Sequence, residues 1–308
     1  MVVVSCLKWK NLTGVLLENE VLQVVVLPEL GGKTASIYHK SNSFELVAQN
    51  KKDSYNIPPP NAEFTNYDAS GFDDAFPTIE AAMLEWNGIS LKYPDHGEIW
   101  REKFIYRIQD DVLHLNFTSD NFPYNYHKRI MLDGESVIYK YKITNTEEEA
   151  FPCLWAFHGL VRYEEDMQLY YPNGVKEFIN VLESPELGRI GKIYDNLNDE
   201  YDFNNVPNIN SNTMIKYYVN GKVEHGCCGY IYPSQGMHCK ILYDSTKLPY
   251  LGMWITAGGF RGDYNCAFEP TNGYYDNILI AKENYSLFML RKNEPLEFSL
   301  KIRLIQMN

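Results

Sequence analysis

Short runs of apolar residues, many alternating with polar ones, follow one another along almost the whole chain. A period of two marks a strand with one buried face. The segment from Val15 to Pro28 (VLLENEVLQVVVLP) breaks at Glu18–Glu20 into two such runs and reads as a hairpin, and Gly31–Gly32 follows as a tight turn. Short strands are predicted at Ala35–His39 and Phe44–Ala48. Longer ones are predicted at Leu84–Lys92, Phe104–Gln109, Val112–Thr118, Tyr126–Leu132 and Val137–Asn145, with Tyr285–Leu290 and Leu296–Leu304 closing the chain. Asn-Gly and Asp-Gly pairs at 87–88, 133–134 and 220–221 punctuate these runs at hairpin spacing. Helical periodicity is scarce: the best stretch is Gly174–Leu182, with a turn or two near Leu187–Asp195. No repeat of fixed period stands out, which argues against a propeller or solenoid. The pattern predicts an all-β fold, one large antiparallel β-sandwich over residues 1–308 with few short helices. Two polar loops, Lys51–Ser70 and Asn196–Asn212, are long enough to be read as functional or as disordered.

Composition narrows the class. A chain of 308 residues, 45% hydrophobic, can bury one large core. A formal net charge of −12 argues against nucleic acid or anionic lipid as partner. The 24 Tyr, 15 Phe and 5 Trp fit pleated, half-buried surfaces, and equally fit stacking on the apolar faces of sugars. The six cysteines form no C-x-x-C pair with a His-rich partner, so no metal is expected. The N-terminus has no basic n-region, and no apolar run approaches the length of a membrane span. A cytoplasmic protein with reduced thiols is therefore expected.

Four islands dense in Gly, Pro and polar residues interrupt the alternation: 70–78 (SGFDDAFPT), 94–98 (PDHGE), 154–159 (LWAFHG) and 268–273 (FEPTNG). In the second, Asp95 and Glu98 bracket His96 on a Gly-containing turn; the pattern suits a positioned imidazole or an ordinary solvated loop. His158 ends an apolar run, which fits either a general acid or base or a core histidine bonded to a backbone carbonyl. Glu269 ends another apolar run, and Pro270 is expected to stop its strand there. Such a carboxylate can serve as a base or pair with a Lys or Arg. Asp73 and Asp74 can accept hydrogen bonds from sugar hydroxyls or hold cationic side chains of a site. No G-x-S-x-G nucleophile motif and no P-loop spacing occurs.

Together the islands resemble the galactose mutarotase-like family of aldose 1-epimerases. The matching segments are 27–40 (LPELGGKTASIYHK), 71–79 (GFDDAFPTI), 94–100 (PDHGEIW), 154–161 (LWAFHGLV), 251–254 (LGMW) and 268–278 (FEPTNGYYDNI). They occur in the family's order and span most of the chain. The resemblance implies a supersandwich fold and an isomerase that interconverts α and β anomers of an aldose without a cofactor. It implies Glu269 as base, His158 as acid and His96 as the assisting histidine, with Asp73, Asp74, Asp95 and Trp254 binding the sugar. In the implied mechanism, Glu269 takes the O1 proton while His158, as imidazolium, protonates the ring oxygen. The chain departs from the galactose enzymes at 71–78, where acids stand in place of an Arg, and the match for their substrate-positioning Asp is not placed. The resemblance therefore implies a sugar without specifying galactose. Two alternatives stay open. A hexose-6-phosphate mutarotase needs cations at the site, for which Lys33, Arg101 and Arg261 are candidates; a carbohydrate-binding protein without catalysis needs only the sandwich and its aromatics. The oligomeric state is not legible.

Overall fold

A computed structural model of the protein describes residues 2–195 and 201–307. Two antiparallel sheets carry the architecture, as the period-two pattern predicts. The larger has 13 strands; its main path runs Val3–Trp9, Leu12–Glu18, Leu22–Leu27, Lys33–His39, Phe72–Ala75, Ala156–Gly159, Tyr264–Thr271, Tyr250–Ala257, Thr213–Val219, Glu177–Asn180 and Ile193–Asp195. The smaller has eight, from Gln168–Tyr170 through Leu296–Gln306 and Ser136–Asn145 to Ile105–Gln109 at its edge. Their facing surfaces enclose the core, in which Tyr124, Tyr126, Tyr139 and Tyr141 alternate with outward polar residues along two adjacent strands. Much of the Tyr content thus serves the pleated interior.

Several expectations change. The segment predicted helical at 174–182 contains the strand Glu177–Asn180, paired with Thr213–Val219, and 187–195 ends in the strand Ile193–Asp195. Tertiary pairing overrides a short ambiguous apolar run. Leu84–Lys92 is not one strand but a hairpin, Ala82–Trp86 with Ile89–Tyr93, turning at Asn87-Gly88. Phe44–Ala48 pairs as a strand only over Phe44–Glu45. The α-helix, Ile278–Glu283, starts where the Asn277 side chain accepts a hydrogen bond from the Leu279 amide. Of the second long loop, residues 196–200 lie outside the described residues.

Pro270 does not end its strand, which continues to Thr271 with Pro270 opposite Leu251. On the other side, the bridges to the preceding segment are Ala156–Thr271 and Val161–Cys266. Pro270 falls in the gap between them, where a missing N–H costs least.

Candidate active site

Register explains how distant islands meet. Asp73 lies opposite His158, Glu269 opposite Gly252, and Gly252 opposite Tyr218. The bridges Ala156–Thr271 and Val161–Cys266 share one register, which sets His158 opposite Glu269. The Thr34–Phe72 pair likewise sets Lys33 opposite Asp73. Lys33, Asp73, His158, Glu269, Gly252 and Tyr218 therefore form one cross-strand row over six strands, and residues in such a row share a face of the sheet.

A cavity of about 260 Å³ opens over the middle of this row. His96, His158, Lys216, Trp254, Asn265, Glu269 and Asp276 line it, with Phe64, Leu160, Met214 and Phe260 among its apolar walls. Its size lies just below the usual range for drug-sized ligands and suits a monosaccharide. Of the seven residues the sequence nominated, it brings together His96, His158, Glu269 and Trp254.

Glu269 is 1% exposed. Its Oε1 lies 3.9 Å from His158 Nε2, and its Oε2 lies 2.8 Å from Lys216 Nζ. Neither oxygen accepts a well-aligned hydrogen bond from a described residue, so the Lys216 contact is an ion pair that leaves lone pairs open. Burial raises the Glu269 pKa; Lys216 opposes the rise and Asp276 reinforces it. Gly252 provides the space: a Cβ there would sit 3.0 Å from Tyr218 Cζ and 3.3 Å from Glu269 Oε2.

His158 is buried at the end of its apolar run, and its Nδ1 has no hydrogen-bond partner among the described residues. Burial, then His96, Lys216 and Lys33, holds its pKa well below the ordinary value. These surroundings disfavour the imidazolium that the implied mechanism assigns to His158.

His96 reaches the cavity from a turn in which it and Gly97 both have left-handed backbones, φ 56° and 68°. A Cβ at Gly97 would fall 2.0 Å from the Phe76 carbonyl oxygen, so only glycine lets this turn dock. Phe64 stacks on the imidazole at 4.1 Å between centroids. Asp95 supports from behind, with Oδ1 2.8 Å from His96 Nδ1 and Oδ2 accepting the Phe64 amide at 2.7 Å. Nε2 is then the His96 nitrogen left for a ligand.

Asp73 and Asp74 do not reach the cavity wall. Adjacent strand residues point to opposite faces. Asp74 points into the sandwich, 2.8 Å from Lys128 Nζ and accepting from Tyr141 Oη at 2.9 Å. Asp73 shares the site's face but is spent on Lys33, at 2.7 Å. Burial alone would lower the Lys33 pKa; Asp73 and Asp68 override it and hold the ammonium charged. Of the two readings open for this pair, holding cationic side chains is the one the geometry matches.

Sequence reasoning missed Lys216 and Asp276. Lys216 Nζ lies 2.5 Å from Asp276 Oδ2, and Tyr218 Oη donates to Asp276 Oδ1 at 2.5 Å. The signal for Lys216 was faint: one Lys in an alternating strand reads as solvent-facing. Asp276 was within the 268–278 segment, eight positions into it. Between His158 and Glu269 no described Asp lines the cavity; Lys216 stands in that interval, and the carboxylate comes after Glu269 instead.

Among the described residues no cluster of His, Cys, Asp and Glu is arranged to hold a metal ion, and no helix is long and apolar enough to cross a membrane. Comparison of the sequence with protein-family models and with curated proteins returns no match. Solved structures do match. Slr1438 from Synechocystis superposes with a TM-score of 0.75 at 15% identity, covering 97% of this chain and 99% of that one. A galactose mutarotase-like protein from Clostridium acetobutylicum gives 0.74 at 12% identity, covering 100% and 99%. Another from Lactobacillus casei gives 0.71 at 16%, covering 95% and 100%. The chain has the galactose mutarotase-like fold.

Proposed function

We propose that the protein, acting as a single domain, is a mutarotase that interconverts the anomers of a neutral aldose. One observation carries this reading: a cross-strand row sets a buried carboxylate opposite an imidazole at the floor of a monosaccharide-sized cavity. Glu269, whose carboxylate form Lys216 favours against burial, removes the proton from the anomeric hydroxyl. His158 and His96 hydrogen-bond to the ring oxygen and neighbouring hydroxyls, and Trp254 offers its face to the ring. The C1–C2 bond rotates in the open aldehyde, and closure on the other face gives the other anomer.

Charge favours a neutral sugar over a sugar phosphate. The carboxylates lining the cavity, Glu80, Glu269 and Asp276, outnumber its one cationic side chain, Lys216. The cations nominated for phosphate are engaged elsewhere: Lys33 with Asp73, Arg101 with Glu102 at 2.7 Å, and Arg261 with Asp263 and the carbonyl oxygen of Tyr67. Inorganic phosphate is accordingly expected not to inhibit.

Polarimetry or a coupled dehydrogenase assay over a panel of aldoses tests the reading. At least one aldose is expected to equilibrate well above its spontaneous rate. Glu269→Gln is expected to lower kcat by about 10²–10⁴-fold while the protein still folds, as circular dichroism checks. Binding by calorimetry with no acceleration of any aldose would leave a carbohydrate-binding protein as the better description.

A further inference from the structure

Ring opening must deliver a proton to the ring oxygen, and the surroundings of His158 disfavour the charged form that would give it. His158 is buried, its Nδ1 has no hydrogen-bond partner among the described residues, and its surroundings disfavour the imidazolium. A neutral imidazole that gave up its remaining proton would become an imidazolate, far too basic for this step. Among the described residues lining the cavity, Lys216 is the one Lys or Arg.

We infer that Lys216 is the acid of the reaction and that it is recharged by the base. The inference rests on the mutarotase reading and adds a residue to it. Lys216 Nζ stands 2.8 Å from Glu269 Oε2 and 2.5 Å from Asp276 Oδ2, its side chain partly open to the cavity. An ammonium carries three N–H groups, so the ion pairs with two carboxylates leave one for a ligand. Tyr218, donating to Asp276, and Gly252, which leaves room for Tyr218 and Glu269, hold the assembly in place.

The proton account closes without a co-reactant. The Glu269 carboxylate takes the O1 proton. The O–H electron pair forms the C1=O1 π bond while the C1–O5 bond breaks and its pair leaves on O5. Lys216 Nζ gives a proton to O5 and becomes an amine. The proton now on the Glu269 carboxyl returns to Nζ across their contact. Reclosure on the other face runs the same steps backward.

The titratable groups facing Lys216 are Glu269 on the neighbouring strand assembly, Asp276 on the segment before the helix, His158 and His96 across the cavity, Tyr218 on its own strand, and Glu80 at the rim. Burial alone would lower the Lys216 pKa, but Asp276 and Glu269 override it and raise it above the ordinary value. The ammonium is therefore charged at neutral pH and has a proton for the oxygen released from C1.

Lys216→Arg separates the acid role from mere charge, because arginine keeps the cation beside Glu269 but does not release a proton in proteins. With the best aldose, Lys216→Arg and Lys216→Met are both expected to lower kcat by at least about 10²-fold, with KM within a few-fold. Wild-type kcat/KM is expected to show no basic limb between about pH 6.5 and 9, since a lysine acid stays protonated throughout. Equal melting temperatures check folding, and Lys216→Arg, which preserves the buried charge, serves if Lys216→Met does not fold. A Lys216→Arg enzyme within about tenfold of wild type overturns the acid role. So does a basic limb near pH 6.5 that disappears in His158→Gln. A wild type that accelerates no aldose removes the mutarotase reading itself and this role with it, an outcome distinct from an active wild type with an active Lys216→Arg.

Discussion

Burial acts with opposite sign on the two partners at the centre of the row. It raises the Glu269 pKa and lowers that of His158, in each case favouring the neutral form. For His158 the consequence is a pH-dependent stability whose sign follows from proton counting. Below the ordinary histidine value of about 6.5 the unfolded chain takes up a proton that the folded one refuses, so stability falls as pH falls. Denaturant titrations of wild type and His158→Gln at pH 7 and pH 5 isolate this share: the variant is expected to lose less on acidification, and parallel losses in both would contradict it. At this scale the sequence was partly readable. His158 and Glu269 stood out because each ends an apolar run. Lys216 and Asp276 did not, because nothing local distinguishes a lysine that reaches two carboxylates from one that reaches water.

Strands were legible wherever alternation was long, as in Val137–Asn145, observed as Ser136–Asn145. They were misread where the run was short and its partner far away: Glu177–Asn180 is a strand because Thr213–Val219 lies beside it. The same limit applied to Asp73 and Asp74. Sequence shows two adjacent acids, whereas pleating sends one to each face. Asp74 thereby becomes a tie between the sheets, with Lys128 at 2.8 Å and both groups at most 1% exposed. Lys128 also lies over the rings of Tyr139 and Tyr141 at 5.3 and 5.5 Å. Removing one member of a buried pair strands the other charge. Lys128→Met is expected to cost about 3–5 kcal/mol by denaturant unfolding. Adding Asp74→Asn is expected to recover part of that, since the uncompensated charge is gone. A single variant within about 1 kcal/mol of wild type would show that this tie does not hold the sheets.

For the whole molecule, the six positions of the row come from chain segments that begin at Lys33 and end at Glu269, and neighbours in the row are mostly far apart in sequence. Contacts between such distant segments require closure of long loops before they return any energy. Topologies dominated by them fold slowly. Lys216, Glu269 and Asp276 lie within one stretch of chain, but the full row, with His158 facing Glu269, exists only after six strands have paired in register. Catalysis by this protein would be a clock for the end of folding: in refolding from denaturant, turnover is expected to return with the slowest phase of tryptophan fluorescence, and recovery of activity in an earlier phase would show that the row assembles before the sheet is complete.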